Sequence, residues 1–210
     1  MPLHHDELST LIEQLLQVET ATLGHLLEQG FMRPELQCAL PDSVRRCGPA
    51  LTASLPEDDG YSLPLALAAA RPGDILVIER VNDDRHACWG AVMTAAARQA
   101  GIAAVILDGY VTDLSAIRAD NFPIWCKGRS PLTTKRGKHG GTVNQPVVCG
   151  GTPVCPGDIV LADENGVVAL PAAQMAQYVE EALRIQLQEP LIVEKLRQGL
   201  SLAEIYRYQH

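Results

Sequence analysis

Two short stretches of the chain concentrate residues able to do chemistry. Arg85-His86-Ala87-Cys88-Trp89-Gly90-Ala91 leads into a helical pattern, and Asp108-Gly109-Tyr110-Val111-Thr112-Asp113 closes the apolar run that follows it. Two carboxylates at a strand end, Asp108 and Asp113, could hold a hard divalent cation such as Mg²⁺ or Mn²⁺, which takes few protein oxygens and keeps several waters. The competing reading of Asp113 is structural: Asp is a preferred N-cap and would close the helix that starts at Leu114. Gly90 and the backbone N–H groups of Ala91, Val92 and Met93 sit at a helix N-terminus, where a carboxylate is readily received. Arg85 offers a cation and His86 an acid or base just ahead of that helix. Cys88 beside His86 evokes a thiol–imidazole pair. Alternate residues project differently, however, and no orienting acid is evident, so a buried small-hydrophobe role is expected. Lys127-Gly128-Arg129-Ser130 and the run Lys135 to Gly141 could close over an anionic ligand, the plainer reading being a solvated basic loop. Gly137-Lys138-His139-Gly140-Gly141-Thr142 lacks the spacing of a P-loop, which argues against nucleotide binding.

These residues need an α/β frame to meet. Leu8, Leu11, Ile12, Leu15 and Leu16 recur at helical steps, and Leu23, Leu26 and Leu27 repeat the pattern up to Gly30. A strand over 48–53, a helix over 63–70 and the continuous apolar run Ile75–Ile78 follow, the last of the kind buried on both faces of a sheet. Then come a helix over 90–100, a strand over 103–107, a short helix over 113–119 and a strand over 123–126. The alternation is β-α-β-α-β, and in such sheets ligands gather beyond the carboxyl ends of the strands. After it the pattern turns β-rich, with strands over 143–149, 159–162 and 167–170; Asn165-Gly166 marks a hairpin. Two helices, 172 to about 188 and 191–206, are expected on either side of Pro190, placed to pack on a neighbouring subunit. Trp89 and Trp125 read as core or interface residues.

Composition narrows the function classes. The 210 residues are 47% hydrophobic and 20% charged, ordinary for one globular domain spanning 1–210, with N-terminal helices over 1–47, a core over 48–171 and C-terminal helices over 172–210. A formal net charge of −8 opposes nucleic-acid binding. Neither a signal sequence nor a long apolar span is present, and the six cysteines form no C-x-x-C pair, so a cytoplasmic protein with reduced thiols and no membrane contact is expected. His4-His5 reads as a mobile terminus.

Several short motifs in one order are more specific than any of them alone. Gly73-Asp74-Ile75-Leu76-Val77-Ile78, Trp89-Gly90, Asp108-Gly109, Asp113, Phe122-Pro123-Ile124-Trp125, Val143-Asn144-Gln145-Pro146-Val147, Pro156-Gly157-Asp158 and Ala162-Asp163-Glu164-Asn165-Gly166-Val167-Val168 together resemble the RraA-like proteins and 4-hydroxy-4-methyl-2-oxoglutarate aldolases. The resemblance implies an αββαβ sandwich of the swivelling β/β/α type and assembly into homotrimers, sometimes stacked to hexamers. For the aldolase branch it also implies a divalent metal and cleavage of 2-oxo acids to pyruvate, with oxaloacetate decarboxylation as a side activity. That branch carries an acidic residue, twenty intervening residues, then Arg-Asp; here those positions read Ala91, Thr112 and Asp113. The metal-binding aspartate is kept, while the acid that holds metal-bound water and the arginine that holds substrate carboxylate are absent. The regulatory branch, which binds ribonuclease E, keeps the arginine but lacks the aspartate, so it is not the match either.

Two readings follow. The first is a divergent metal-dependent lyase on a small 2-oxo acid or related carboxylate. Here Asp113 binds the metal, Asp108 steadies the loop or a water, Arg85, His86 and Thr112 assist catalysis, and Gly90 to Met93 with Thr112 hold substrate. The second is a catalytically silent trimeric scaffold or regulator that binds a protein partner.

Overall fold

The structure is a computed structural model that describes residues 5–40, 42, 44–135, 137 and 140–207. Four strands form its parallel heart: β2 (Arg46–Pro56), β3 (Ile75–Val81), β5 (Ala104–Val111) and β6 (Ile124–Arg129). The short β4 (Ala87–Trp89) runs parallel to β5 and pairs with its carboxyl end, at Tyr110 and Val111. Antiparallel strands extend the sheet: β1 (Gln37–Cys38) beside β6, β7 (Thr142–Val143) beside β2, and the hairpin of β10 (Ile159–Ala162) and β11 (Val167–Leu170) on the far side of β2. A separate hairpin, β8 (Val147–Cys149) and β9 (Thr152–Val154), lies against one face. The fold is mixed α/β, a sheet with helices packed on it.

Burial explains the element types. In β5 the residues alternate between two apolar layers, Val105 and Leu107 in one and Ala104 and Ile106 in the other, so the strand reads as an unbroken apolar run. The first layer is roofed by α3 (Ser62–Ala69), α4 (Ala91–Gln99) and α5 (Leu114–Ala119), through Leu63, Ala97 and Ile117. Trp89 stacks on Phe122 inside it, with ring centroids 6.2 Å apart. The second layer is closed by Met32, Leu36, Val147, Cys149 and the β10–β11 hairpin, and contains Trp125. A third apolar cluster joins α1 (His5–Leu15), α2 (Thr20–Leu23), α6 (Ala172–Met175) and α7 (Val179–Arg197) to the outer face of that hairpin; α8 (Leu202–Arg207) packs on α7.

Four sequence expectations need correction. The strand expected over 103–107 continues to Val111, because Gly109 lets the aliphatic stem of Arg80 cross the strand; a Cβ there would lie 2.8 Å from Arg80 Cγ. The strand expected over 143–149 is broken into β7 and β8 at Asn144-Gln145-Pro146, where Asn144 takes a left-handed φ of 55°. The second N-terminal helix is one turn, Thr20–Leu23, continued by isolated turns to Leu27. Helix α7 runs through Pro190 instead of stopping there. One missing backbone donor is outweighed by Glu, Leu, Arg, Gln and Lys, which lose little freedom in a helix.

Candidate functional site

Because β2, β3, β5 and β6 are parallel, the segments that follow them emerge along one edge of the sheet. Thr112 and Asp113 follow β5, the Asn82–His86 loop follows β3, and Glu57 to Tyr61 follow β2. A cleft of about 870 Å³ opens there between α3, the N-terminus of α4 and the segment after β6. Trp89, Gly90, Val92, Met93 and Thr112 line one side, Tyr61, Leu63 and Leu67 the other, and Thr133, Thr134 and Lys135 close the end. The walls are mainly apolar, and Lys135 is the charged side chain among the described lining residues.

Asp113 stands at the rim in a strained conformation. It precedes α5 with φ 52° and ψ 36°, the left-handed region that side-chain-bearing residues seldom adopt. Its side chain does not cap α5. Oδ2 instead accepts the backbone N–H of Ala91 at 3.1 Å, so Asp113 caps the neighbouring α4 beside the cleft mouth. The expected cap on the helix beginning at Leu114 is therefore corrected. Gly90 makes room for this: a Cβ there would lie 2.5 Å from Asp113 Oδ2 and 2.8 Å from Thr112 Cγ2. Its φ of −157° is open to any residue, so the glycine answers to the carboxylate and not to backbone strain.

Asp108 is not part of this arrangement. With β5 extended to Val111, it lies within the strand on the opposite face, where Lys127 Nζ reaches Oδ1 at 2.5 Å and the Gly150 N–H donates to Oδ2 at 3.0 Å. The expectation that Asp108 and Asp113 share a cation is corrected by this change of face.

Arg85 and His86 also lie off the cleft walls. Arg85 is exposed, and His86 Nδ1 is 2.6 Å from Asp83 Oδ1. Asp83 Oδ2 accepts Arg80 at 2.7 Å and the His86 backbone N–H at 3.1 Å. Arg80, fully covered, also donates to the Glu57 and Asp59 carbonyls and so ties the β2 loop to the β3 loop. Burial opposes ionisation of Asp83, but the hydrogen bonds from Arg80 and His86 prevail and hold its pKa below the usual carboxylate range. Sequence reasoning missed both Asp83 and Arg80; the i, i+3 spacings 80–83 and 83–86 were their signal.

The thiol beside His86 is inert. Cys88 is buried and burial pushes its pKa up to about 12, which removes the thiolate. The basic run after β6 is no free loop over the described residues: Ala87 N–H donates to Leu132 O, Thr134 N–H to Ala87 O and Lys135 N–H to Asp58 O. Arg136, Lys138 and His139, with His4 and the side chain of His5, lie outside the described residues.

The donor set available to a metal is small. Among the described residues no three His, Cys, Asp or Glu side chains converge. Asp113 does fit a hard ion that keeps most of its waters, since it is exposed and its Oδ2 is held by the Ala91 N–H.

The fold is an α/β sheet with helices packed on it and a crevice at the carboxyl edge of its parallel strands. The chain belongs to the Aldolase/RraA family, whose RraA-like model matches residues 17–169. It is 36% identical over 140 residues to a protein of Halalkalibacterium halodurans named "Putative 4-hydroxy-4-methyl-2-oxoglutarate aldolase", the match covering 66% of each chain, so about two thirds of that relative's length is spanned. An uncharacterized protein of Methanocaldococcus jannaschii is 31% identical over 160 residues, 75% of this chain and 76% of its own. Among solved structures, an uncharacterized protein from Pseudomonas syringae superposes with a TM-score of 0.82 at 24% identity over 97% of this chain and 94% of its own, which shows the shared fold. Streptomyces coelicolor RraAS2, described as an unusual member of the RNase ES inhibitor RraA family, superposes with a TM-score of 0.75 at 25% identity, over 91% and 97% of the two chains. Among the described residues no helix is long and apolar enough to cross a membrane.

Proposed function

We propose that the chain is a divergent carbon–carbon lyase of this family, acting in the cytoplasm on a small 2-oxo acid that carries an apolar substituent. The observation that carries the reading is Asp113: a strained, left-handed residue held over Gly90 at the mouth of the 870 Å³ cleft. Backbone strain of this kind costs about 1–3 kcal/mol and persists where the surroundings enforce it.

A hydrated Mg²⁺ or Mn²⁺ on Asp113 would polarise the substrate carbonyl. The chain's own residues do the rest. Val92 and Met93 N–H groups, in the first turn of α4, receive the substrate carboxylate; Ala91 N–H is already engaged by Asp113. Lys135 balances the charge from the end of the cleft, and Thr112 offers a hydroxyl where the family's arginine would stand. Leu63, Leu67 and Trp89 exclude water and take the apolar substituent. Asp108, Arg85 and His86 have no part in this reading. The protein acts as a single domain in a homotrimer or hexamer, without nucleic acid.

The silent-scaffold reading is favoured by one observation, the replacement of two signature side chains by Ala91 and Thr112. Turnover of oxaloacetate and 4-hydroxy-4-methyl-2-oxoglutarate with Mn²⁺ separates the two. Native protein should show slow metal-dependent turnover that Asp113→Asn abolishes together with Mn²⁺ binding. Ala91→Asp with Thr112→Arg should raise turnover roughly ten- to a hundredfold, since a hydrogen bond to a charged group contributes about 1.5–3 kcal/mol. Undiminished Mn²⁺ binding in Asp113→Asn, or no turnover in native and double variant alike, would leave the scaffold reading standing.

A further inference from the structure

Glu57-Asp58-Asp59 places three carboxylates in a row beside the end of the cleft, and only the last of them is buried. Asp59 is 1% exposed. A carboxylate withdrawn from water is costly unless polar groups receive it, so its position calls for a reason. Its Oδ1 accepts the Tyr61 N–H at 2.8 Å, and the carboxylate lies against Gly137, where a Cβ would stand 2.8 Å from Cγ and Oδ2 and 3.0 Å from Oδ1. Gly137 has no left-handed φ, so its missing side chain answers to the Asp59 carboxylate.

Main-chain bonds run beside this contact. Gly60 N–H donates to Lys135 O at 3.1 Å and Lys135 N–H to Asp58 O at 2.6 Å, while the covered Arg80 donates to the Asp59 carbonyl at 3.4 Å. On its other side the segment is joined to β4, with Ala87 N–H donating to Leu132 O at 2.7 Å and Thr134 N–H to Ala87 O at 3.0 Å. The chain over 132–135 is therefore stitched along two seams, and the seam at Lys135 itself is the one that Asp59 closes. Lysine carries its charge on a flexible four-carbon stem, so the reach of that charge into the cleft depends on where the main chain is held.

We propose that Asp59 is a positioning residue, whose buried carboxylate clamps the Lys135 main chain at the end of the cleft and so sets where the lysine charge meets the substrate carboxylate. The inference rests on the cleft reading given above, in which Lys135 balances that charge, and it adds a residue that touches no substrate. The effect has a sign that charge alone would not give. Removing a carboxylate near the cleft should by itself tighten the binding of an anion, whereas releasing Lys135 should weaken it.

Isothermal titration of the full chain in Mn²⁺ with 4-methyl-2-oxopentanoate, a 2-oxo acid with one carboxylate and an apolar substituent, tests this. Lys135→Met should weaken binding about threefold, the size of an exposed ion pair. Asp59→Ala should weaken it by a similar factor, and so should Gly137→Ala, which keeps every charge and pushes the clamp apart. If Asp59→Ala fails to fold, Gly137→Ala carries the test. In the Lys135→Met background neither change should weaken binding further. Hydrogen exchange read by mass spectrometry checks the clamp without ligand: peptides containing Gly60 and Lys135 should exchange about tenfold faster or more in both clamp variants, while β3 stays as in the native chain. Native exchange rates in those variants, or tighter or unchanged binding beside a weakened Lys135→Met, would overturn the clamp and leave the cleft reading standing. Further weakening in the Lys135→Met background would show Asp59 acting apart from Lys135 and overturn it equally. No binding by native protein, or undiminished binding in Lys135→Met, would overturn both the inference and the role given to Lys135.

Discussion

Replacing Gly90 by alanine should disturb the mouth of the cleft without touching the backbone conformation. The new Cβ would stand 2.5 Å from Asp113 Oδ2 and 2.8 Å from Thr112 Cγ2, both inside the 3.0 Å that real Cβ atoms essentially never show. Asp113 must then swing away and release the Ala91 N–H. Overpacking of this kind typically costs about 1–3 kcal/mol, and a lost N-terminal cap about 1 kcal/mol. We expect Gly90→Ala to lower stability by about 2–3 kcal/mol. Asp113→Gly loses the same cap but relieves left-handed strain of about 1–2 kcal/mol, so its net effect should stay within about 1 kcal/mol. In the Asp113→Gly background the carboxylate is gone and only the Thr112 methyl must move, so Gly90→Ala should then cost less than about 1 kcal/mol. Urea unfolding of the four proteins reads this as a coupling of about 1–2 kcal/mol. Additive effects would refute the reasoning, because they would mean that Gly90 is not reserved for the Asp113 carboxylate.

Two further outcomes follow from the same geometry. Asp83 has a folded-state pKa below its unfolded value, so its stabilisation is fully present above an unfolded pKa of about 4 and is lost as pH falls through the lower folded value. Asp83→Asn, which leaves the covered Arg80 without its carboxylate, should cost about 3–5 kcal/mol at pH 7, and the gap between its urea midpoint and that of the native chain should hold from pH 7 to about 5 and begin to narrow as pH falls below about 4. Among the thiols, burial raises Cys47 and Cys88 to about 12 and Cys126 to about 11, whereas Cys155 is exposed. Mass spectrometry after iodoacetamide at pH 8 should find Cys155 alkylated first and Cys47 and Cys88 unmodified until urea is added; early labelling of Cys88 would contradict its buried, uncharged state.

The parallel heart of the fold was legible because its strands are buried on both faces and read as continuous apolar runs, as in Ile75–Ile78 and Ala104–Leu107. The Asn165-Gly166 hairpin was legible because the turn is local, with Asp163 Oδ1 accepting the Asn165 N–H at 2.9 Å. The end of β5 was not. Asp108-Gly109 carries turn residues, and only the passage of Arg80 over Gly109, from a strand far back in the chain, shows why they are extended. That single misplacement brought Asp108 to the wrong face. The near wall of the cleft, Gly90 to Met93 with Thr112, could be named from local motifs. The far wall could not, because Tyr61 and Lys135 are brought together by main-chain bonds, Gly60 N–H to Lys135 O and Lys135 N–H to Asp58 O, that carry no side-chain signature.

The two signature changes make physical sense as a pair. An acid at 91 and an arginine at 112 would add opposite charges to the rim, so losing both leaves the local net charge unchanged, while losing either alone would leave a charge without its counterpart. What remains is Asp113 facing the positive end of α4, a carboxylate already satisfied by the Ala91 N–H. A second anion entering that helix end meets Asp113 as a like charge, and within the described walls only Lys135 opposes it. Under the proposed function, the altered rim would disfavour substrates with two carboxylates close together. It would suit one carboxylate directed to Val92 and Met93, with an apolar remainder lying along Leu63, Leu67 and Trp89. On this argument the loss of the arginine changes which acid fits the cleft as much as how fast its bond is broken.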